Sequence, residues 1–417
     1  MTPSSIFIIG GGIQGVCTAY YLTQLAKKHG QSISVTILEG SGIAAGASGK
    51  AGGLLALDWH GPSTSSLSSL SYKLHRDLAN EHDGERRWGY RTLDTLSVSA
   101  DMTRIIKKRE DVVSSKKLKE KNGFFDWLNQ DALGETSVLG TRESTAQVHP
   151  RLFTQGLAEI MLQEGDVKVV YGSATALNKN EDGSFTVKYS PRQVERSSKA
   201  SEQKSARSAE MSLGPADGLV ITAGPWTGSL LKQLGIKGGG RTRRIEGSRA
   251  HSVVFKTAES RALPAQALFT SIKEKAGSFC EPEIYVSEPE FLLSRNRPDG
   301  TAYACGPTDD SSLPTLASEV EIDPSATALI IQQVADLAPE YLSVNDGPHS
   351  ATVEVEQACY LPVGSGDPVI GRIEENVWVG AGHSCWGILN GPATGLCLAE
   401  LILEGKASSA DIRRLGP

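Results

Sequence analysis

The chain has 417 residues, with 42 Lys and Arg against 48 Asp and Glu and a formal net charge of -6. That length exceeds one ordinary core, so two domains are expected. The acidic balance, with no basic run interleaved with aromatics, argues against nucleic acid as a partner.

No uncharged apolar run of the roughly 18 to 20 residues needed to span a bilayer is read. The opening "MTPSSIFIIG" has neither the basic region nor the long apolar region of a signal peptide. The six cysteines form no CxxC pair and no zinc spacing with histidine. The expectation is a cytoplasmic chain with reduced thiols, no disulfide and no structural metal.

In chain order, Ile6 to Ile9 reads as a buried parallel strand leading into Gly10, Gly11 and Gly12. A helix follows, with Ile13, Val16, Cys17, Tyr20, Tyr21 and Leu25 on one apolar face and Gly30 to end it. "ISVTILE" is then a second strand, ending in Glu39. In this order GxGxxG has a mechanism. Gly10 permits the tight turn, Gly12 lets backbone approach a pyrophosphate, Gly15 allows close helix contact, and Ile13 and Gln14 open the helix whose N-terminus faces the phosphates. Glu39 is placed to accept hydrogen bonds from ribose hydroxyls. The motif leaves NAD and FAD open, while the acid argues against NADP, whose 2'-phosphate it would repel.

Residues 40 to 56, "GSGIAAGASGKAGGLLA", carry little side chain and suit backbone lying against a large flat ligand. Here the chain resembles the D-amino-acid-oxidase superfamily of FAD enzymes, the branch holding glycine oxidase and sarcosine oxidase. The resemblance implies that Ala47, Ser48, Gly49, Ala51, Gly52, Gly53 and Leu54 line the cofactor. It places Ala174 of "DVKVVYGSATAL", read as a strand pair, at the adenine. Gly224 and Trp226 of "DGLVITAGPWTGSLL" mark a second return to the dinucleotide. The later stretch "NVWVGAGHSCWGILNGPATGLCLAELILEG" reads as strand, glycine-rich loop and helix. By resemblance Gly382, His383, Gly387 and Ile388 lie along the isoalloxazine, with the helix N-terminus toward the edge that carries charge when the flavin is reduced.

The fold implied is α/β, a Rossmann-like FAD-binding domain of the GR2 type interleaved with an antiparallel-sheet substrate domain. The expected division gives residues 1–85, 140–230 and 350–417 to the first and 86–139 and 231–349 to the second. Residues 190–211, polar and charged, read as a disordered insertion. A further insertion is expected at about 286–296. The chain looks most like a fungal subgroup of FAD-dependent oxidoreductases with no settled substrate. That subgroup is associated with endosome-to-Golgi transport, which implies peripheral endosomal association.

The resemblance implies oxidation of a C–N bond in a small amine or amino acid, with O2 as acceptor. A flavin-binding regulatory component of endosomal traffic is the alternative. The cofactor does the hard step, so no catalytic acid or base is assigned. Glycine oxidase holds its substrate carboxylate with arginines at two motif positions, and here these are Cys385 and Leu361. Arg243, Arg249 and Arg297 are possible substitutes. His251, Tyr285, Cys385 and Trp386 are expected at the substrate pocket. Cys359 stands where sarcosine oxidases carry a thiol bonded to flavin, so it is a covalent attachment point or a buried free thiol.

Overall fold

A computed structural model of the chain describes residues 3–104, 124–192, 209–258, 263–286, 301–345, 347, 349–364 and 366–417. Ser5–Ile9 (β1), Ile13–Lys28 (α1) and Ser34–Glu39 (β2) form the expected right-side-by-side unit, with β1 and β2 parallel from Ile6 against Val35 to Ile9 against Leu38. They sit inside an eight-stranded sheet. Its order is Met211–Ala216, Phe185–Pro191, Val167–Lys179, β2, β1, Gly218–Ile221, Val377–Ala381, Val369–Glu374. The five inner strands are parallel. They read as continuous apolar runs because both faces are covered. α1, Pro150–Glu164 and the C-terminal helix Gly387–Leu403 cover one face, and Leu231, Leu234, Ile236 and Ile245 pack on the other.

α1 and the C-terminal helix approach so closely that a Cβ on Gly395 would lie 2.4 Å from the backbone carbon of Cys17. Only glycine admits that contact. The C-terminal segment Ser384–Leu403 is long and apolar enough, by length and composition, to cross a bilayer, which the first reading of the sequence had not registered. In the structure 72% of it is buried within the protein, as a core helix would be.

The second sheet runs Thr352–Val363, Glu246–Lys256, Thr301–Asp309, Glu283–Val286, Gln266–Lys273, Asp94–Asp101, Leu133–Gly140. It is antiparallel except for Gln266–Lys273 with Asp94–Asp101. Helix Pro324–Leu337 covers one face through Ile330, Val334 and Leu337, which join Val253, Leu268 and Ile284 in a separate core. The opposite face looks toward the glycine-rich stretch after β2, where Tyr285 and Tyr303 reach Gly52. A three-stranded sheet of Leu54–Ala56, Thr145–Gln147 and Arg91–Thr92 lies beside it.

Two local expectations change. "DVKVVYGSATAL" is one strand, not a pair. It runs parallel to β2 as far as Tyr171, then from Gly172 pairs antiparallel with Phe185–Pro191, because the hairpin through Asn180 to Ser184 folds the chain back on it. Thr352–Val363, expected in the first domain, hydrogen-bonds along Glu246–Lys256 in the second sheet. Of the expected 190–211 insertion, residues 193–208 lie outside the described residues, and its two ends are strand ends. Residues 287–300 also lie outside them, so the 286–296 insertion and Arg297 have no structural account here.

Candidate functional site

A cavity of about 800 Å³ opens at the carboxyl ends of β1 and β2. This is where an open parallel sheet offers a crevice, and the volume falls in the range of small-molecule sites. Of the residues singled out from the sequence, Gly10, Gly12, Ile13, Gln14, Glu39, Ala47, Ser48, Ala174, Gly224 and Trp226 line it. Gly10 takes φ +113, and a Cβ there would lie 2.4 Å from the carbonyl oxygen of Thr222. A side chain is therefore excluded twice, by conformation and by space.

Glu39 organises the turn. Its Oε2 accepts from the amide of Gly11 at 2.6 Å, and its Oε1 accepts from the amides of Ser41 and Gly42 at 2.7 and 3.0 Å. A carboxylate has about four acceptor sites, so three backbone donors leave room for one hydroxyl from a ligand. Ser48 Oγ accepts from the amide of Ile13 at 2.9 Å and so ties the glycine-rich stretch to the start of α1.

The remaining singled-out glycines lie away from the cavity wall and act through packing. Gly15 sits against the carbonyl of Gly10, Gly49 against that of Ala44, and Gly53 against that of Val148. Ala51 is partly buried against the core beneath α1, and Leu54 is buried with Tyr285.

The two glycine turns meet. Gln14 Nε2 donates to the carbonyl of Gly387 at 2.9 Å, while Gln14 Oε1 is buried without a hydrogen-bond partner among the described residues. A buried amide oxygen left unpaired costs about 1 to 3 kcal/mol, which a ligand donor can relieve. Gly382 has φ +78, turning the chain so that the His383 ring points inward. His383 Nε2 lies 2.9 Å from Thr394 Oγ1, and burial pushes its pKa down to about 3, so the ring is neutral and faces the helix. The carbonyl of Ile388 lies 2.9 Å from His75 Nε2, which must be its donor.

Above Gly52 stands a roof of aromatic side chains from the second sheet. A Cβ on Gly52 would come 2.5 Å from the ring of Tyr285 and 3.1 Å from that of Tyr303. Rings pair edge to face in sequence: Tyr285 with Phe269 at 6.4 Å, Phe269 with Trp59 at 5.5 Å, Trp59 with Trp386 at 6.3 Å, and Trp386 with His60 at 4.5 Å. Tyr285 and Trp386 are thus linked in one aromatic wall through Phe269 and Trp59. The hydroxyl of Tyr285 donates to Glu283 Oε2, and burial raises the Glu283 pKa above the usual carboxylate range. Cys385 is exposed, yet desolvation of its thiol by the surrounding chain, and next the charge of Glu283, raise its pKa.

His251 does not face this pocket. Its neighbour Ser252 does, through Gln357, which reaches the carbonyl of Lys50 at 3.2 Å. Alternation along the strand therefore turns His251 to the helix side, where Nε2 accepts from the amide of Asp323 at 3.0 Å, just before helix Pro324–Leu337. Arg249 and Arg243 are also committed elsewhere. Arg249 Nε reaches both oxygens of Asp309 at 3.0 and 3.1 Å, and Arg243 Nε donates to the carbonyl of Lys237 at 2.6 Å. Cys359 is buried beside the Lys50 ammonium, and burial raises its thiol pKa to about 11.

The sequence reading missed a strap. Leu313 to Ala317, from the chain between the second sheet and helix Pro324–Leu337, line the cavity opposite β2. The strap is tied down where Trp226 Nε1 donates to the carbonyl of Pro314 at 2.6 Å and where the amide of Ser318 donates to Ser41 Oγ at 3.1 Å. "SSLPTLAS" carries no motif, so only the tertiary contact reveals it. Among the described residues no group of three or more His, Cys, Asp or Glu is placed to hold a metal.

The chain matches the family model for FAD dependent oxidoreductases, DAO, over residues 5–401, and belongs to that family. It is an FAD-dependent flavoprotein oxidoreductase. It is 36% identical to a Schizosaccharomyces pombe protein named as an oxidoreductase, across 99% of this chain and 97% of that protein. It is 29% identical to TDA3 of Saccharomyces cerevisiae, also named as an oxidoreductase, across 99% and 94%. Its fold is that of glycine oxidase from Geobacillus kaustophilus, with a TM-score of 0.69 at 16% identity over 99% of this chain and 98% of that one.

Proposed function

We propose that the protein oxidises the C–N bond of a small amine or amino acid and passes the electrons to O2, releasing H2O2. The observation that carries this reading is the meeting of the two glycine turns at Gln14 and Gly387, with Gln14 lining the cavity at the ends of β1 and β2. One FAD would lie along that path. The Gly10 to Gly12 turn and the start of α1 would hold the diphosphate, Glu39 the ribose, and the strand at Ala174 the adenine. The stretch from Ala47 to Gly53 and the loop from Gly382 to Ile388 would hold the ring.

When bound, FAD supplies the electron sink that accepts hydride from the carbon beside nitrogen, and the resulting imine is hydrolysed by water. The protein's share is placement. Tyr285, Phe269, Trp59 and Trp386 would press the substrate against the ring and keep water from it. The N-terminus of helix Gly387–Leu403 would stabilise negative charge delivered there.

The purified protein should be yellow, and its flavin should bleach when mixed anaerobically with members of a panel of primary, N-methyl and amino-acid substrates. Peroxide should appear when air is readmitted. A yellow protein that no member of the panel bleaches, while an alcohol or hydroxy-acid panel does, would refute the C–N assignment.

A further inference from the structure

The acid beside the aromatic wall, Glu283, has no counter-ion among the described residues. Glu283 and Tyr285 alternate with Ile284 and Val286 on their strand, so both project from the face turned toward Gly52 while the apolar pair enters the core behind. Glu283 Oε2 accepts from the Tyr285 hydroxyl, and the Cys305 thiol lies 4.0 Å from the same oxygen. Oε1 has no hydrogen-bond partner among the described residues, and no Lys or Arg among them forms an ion pair with this carboxylate. The nearby cations among the described residues are engaged elsewhere. Lys50 Nζ donates to the carbonyl of Ala358 at 2.8 Å, and Arg91 reaches Gln147 and the carbonyl of Val286.

We infer that this wall takes a protonated amine that carries no carboxylate, its charge facing Glu283 and its carbon atoms lying among Tyr285, Phe269, Trp59 and Trp386. This names the substrate class of the proposed oxidation site and rests on that reading. Three physical terms agree. A partly buried carboxylate without a counter-ion is costly, and a ligand cation removes the cost. Aromatic faces present negative charge and attract ammonium groups, most strongly at a desolvated site. A substrate carboxylate brought to the same place would meet a like charge at low dielectric. The burial that lifts the Glu283 pKa also lets it accept a proton from a bound ammonium ion, which converts that ion to the free amine that oxidation requires.

The test uses the whole protein and two probes of matched size, benzylammonium and phenylacetate, titrated by calorimetry and by quenching of tryptophan fluorescence. The ammonium probe should bind at least about tenfold more tightly than the carboxylate. Glu283→Gln should remove most of that preference, weakening the cation by about tenfold, or about 1.4 kcal/mol, without weakening the carboxylate. Equal binding of the two probes to the wild-type protein overturns the inference, as does unchanged cation binding by a Glu283→Gln protein with a wild-type unfolding midpoint. The underlying oxidation reading is separated by the flavin itself. Bleaching by sarcosine or glycine but not by N-methylalkylamines sinks the cation inference and leaves C–N oxidation standing. Tight cation binding with no bleaching by any amine does the reverse.

Discussion

Gln14 Nε2 donates at 2.9 Å to the carbonyl oxygen of Gly387, 373 residues away in the chain and at the opposite end of the fold's sequence. The bond joins the first turn of α1 to the first turn of the C-terminal helix. Both helix N-termini are therefore brought into one region, where each offers unpaired backbone N–H groups to negative charge.

Replacing Gln14 by Leu keeps the volume and removes the bond that ties the first turn of α1 to the Gly387 carbonyl. Loss of a hydrogen bond of this kind costs about 0.5 to 1.5 kcal/mol. FAD affinity should fall by up to about tenfold, read by titrating flavin back into the apoprotein. An unchanged affinity would mean that the two turns are held by other contacts.

Glu39→Gln tests the organising acid. The amide offers one acceptor oxygen where the carboxylate offers two, and its NH2 group is turned toward backbone N–H donors. Loss of a charge-assisted bond costs about 1.5 to 3 kcal/mol. The variant should be isolated largely without colour, with flavin recovered only at high added concentration. Retention of a full complement of FAD through purification would contradict the role given to Glu39.

Gly395→Val tests the helix contact that brings the two ends together. The added side chain meets backbone atoms of Cys17 and Thr18, which cannot swing aside as a flexible side chain can. Overpacking of this sort costs about 1 to 3 kcal/mol or more. The unfolding midpoint should drop by several degrees, and flavin should leave more readily because the turns ride on these helices. Thermal unfolding followed by flavin fluorescence reads both effects at once.

The buried histidines set an acid limit on stability. His383 is pushed from an ordinary pKa of 6.5 to about 3, and His75 to about 4, both because burial disfavours the charged ring. Below about pH 6.5 the unfolded chain binds protons that the folded chain refuses, so stability falls as pH is lowered toward those values and is fully present above 6.5. The loss between pH 6.5 and 4 should amount to a few kcal/mol. Denaturant unfolding across that range should show a shallower decline in His383→Asn, which has no proton to take up. An equal slope in the two proteins would show that the ring is not neutral in the folded state.

The Cys359 thiol tests the mode of flavin attachment. Its pKa is raised to about 11, so it is protonated at neutral pH, and the nucleophilic form is scarce. Acid precipitation of the yellow protein should leave the colour in the supernatant. Colour that stays with the pellet, and that moves to the supernatant in Cys359→Ser, would establish a covalent bond instead.

Much of the dinucleotide half was legible before any coordinates. β1, Gly10, α1 and Glu39 are contiguous, and each carries its reason locally: a β-branched run, a turn that needs positive φ, a 3.6-residue apolar repeat and an acid at a strand end. The strap from Leu313 to Ala317 was not legible, because its residues have no periodicity and acquire meaning only where Trp226 and Ser41 hold them down. His251 was misplaced for a related reason. Its strand was read correctly, but which face of an alternating strand meets the cofactor half depends on the sheet's partners.

By itself, the sequence determined the elements that recur at short range: the parallel strands, the glycine turns at both ends, and the acid that closes β2. Only the tertiary structure decided which of those pieces touch. A hydrogen bond such as Gln14 to Gly387, or an aromatic wall in which Tyr285, Phe269, Trp59 and Trp386 meet, joins residues far apart in the chain. Local patterns carry no information about that distance. It is set by the packing of α1 on the C-terminal helix and of the second sheet over Gly52, where the close fit of backbone and ring leaves one arrangement that buries both.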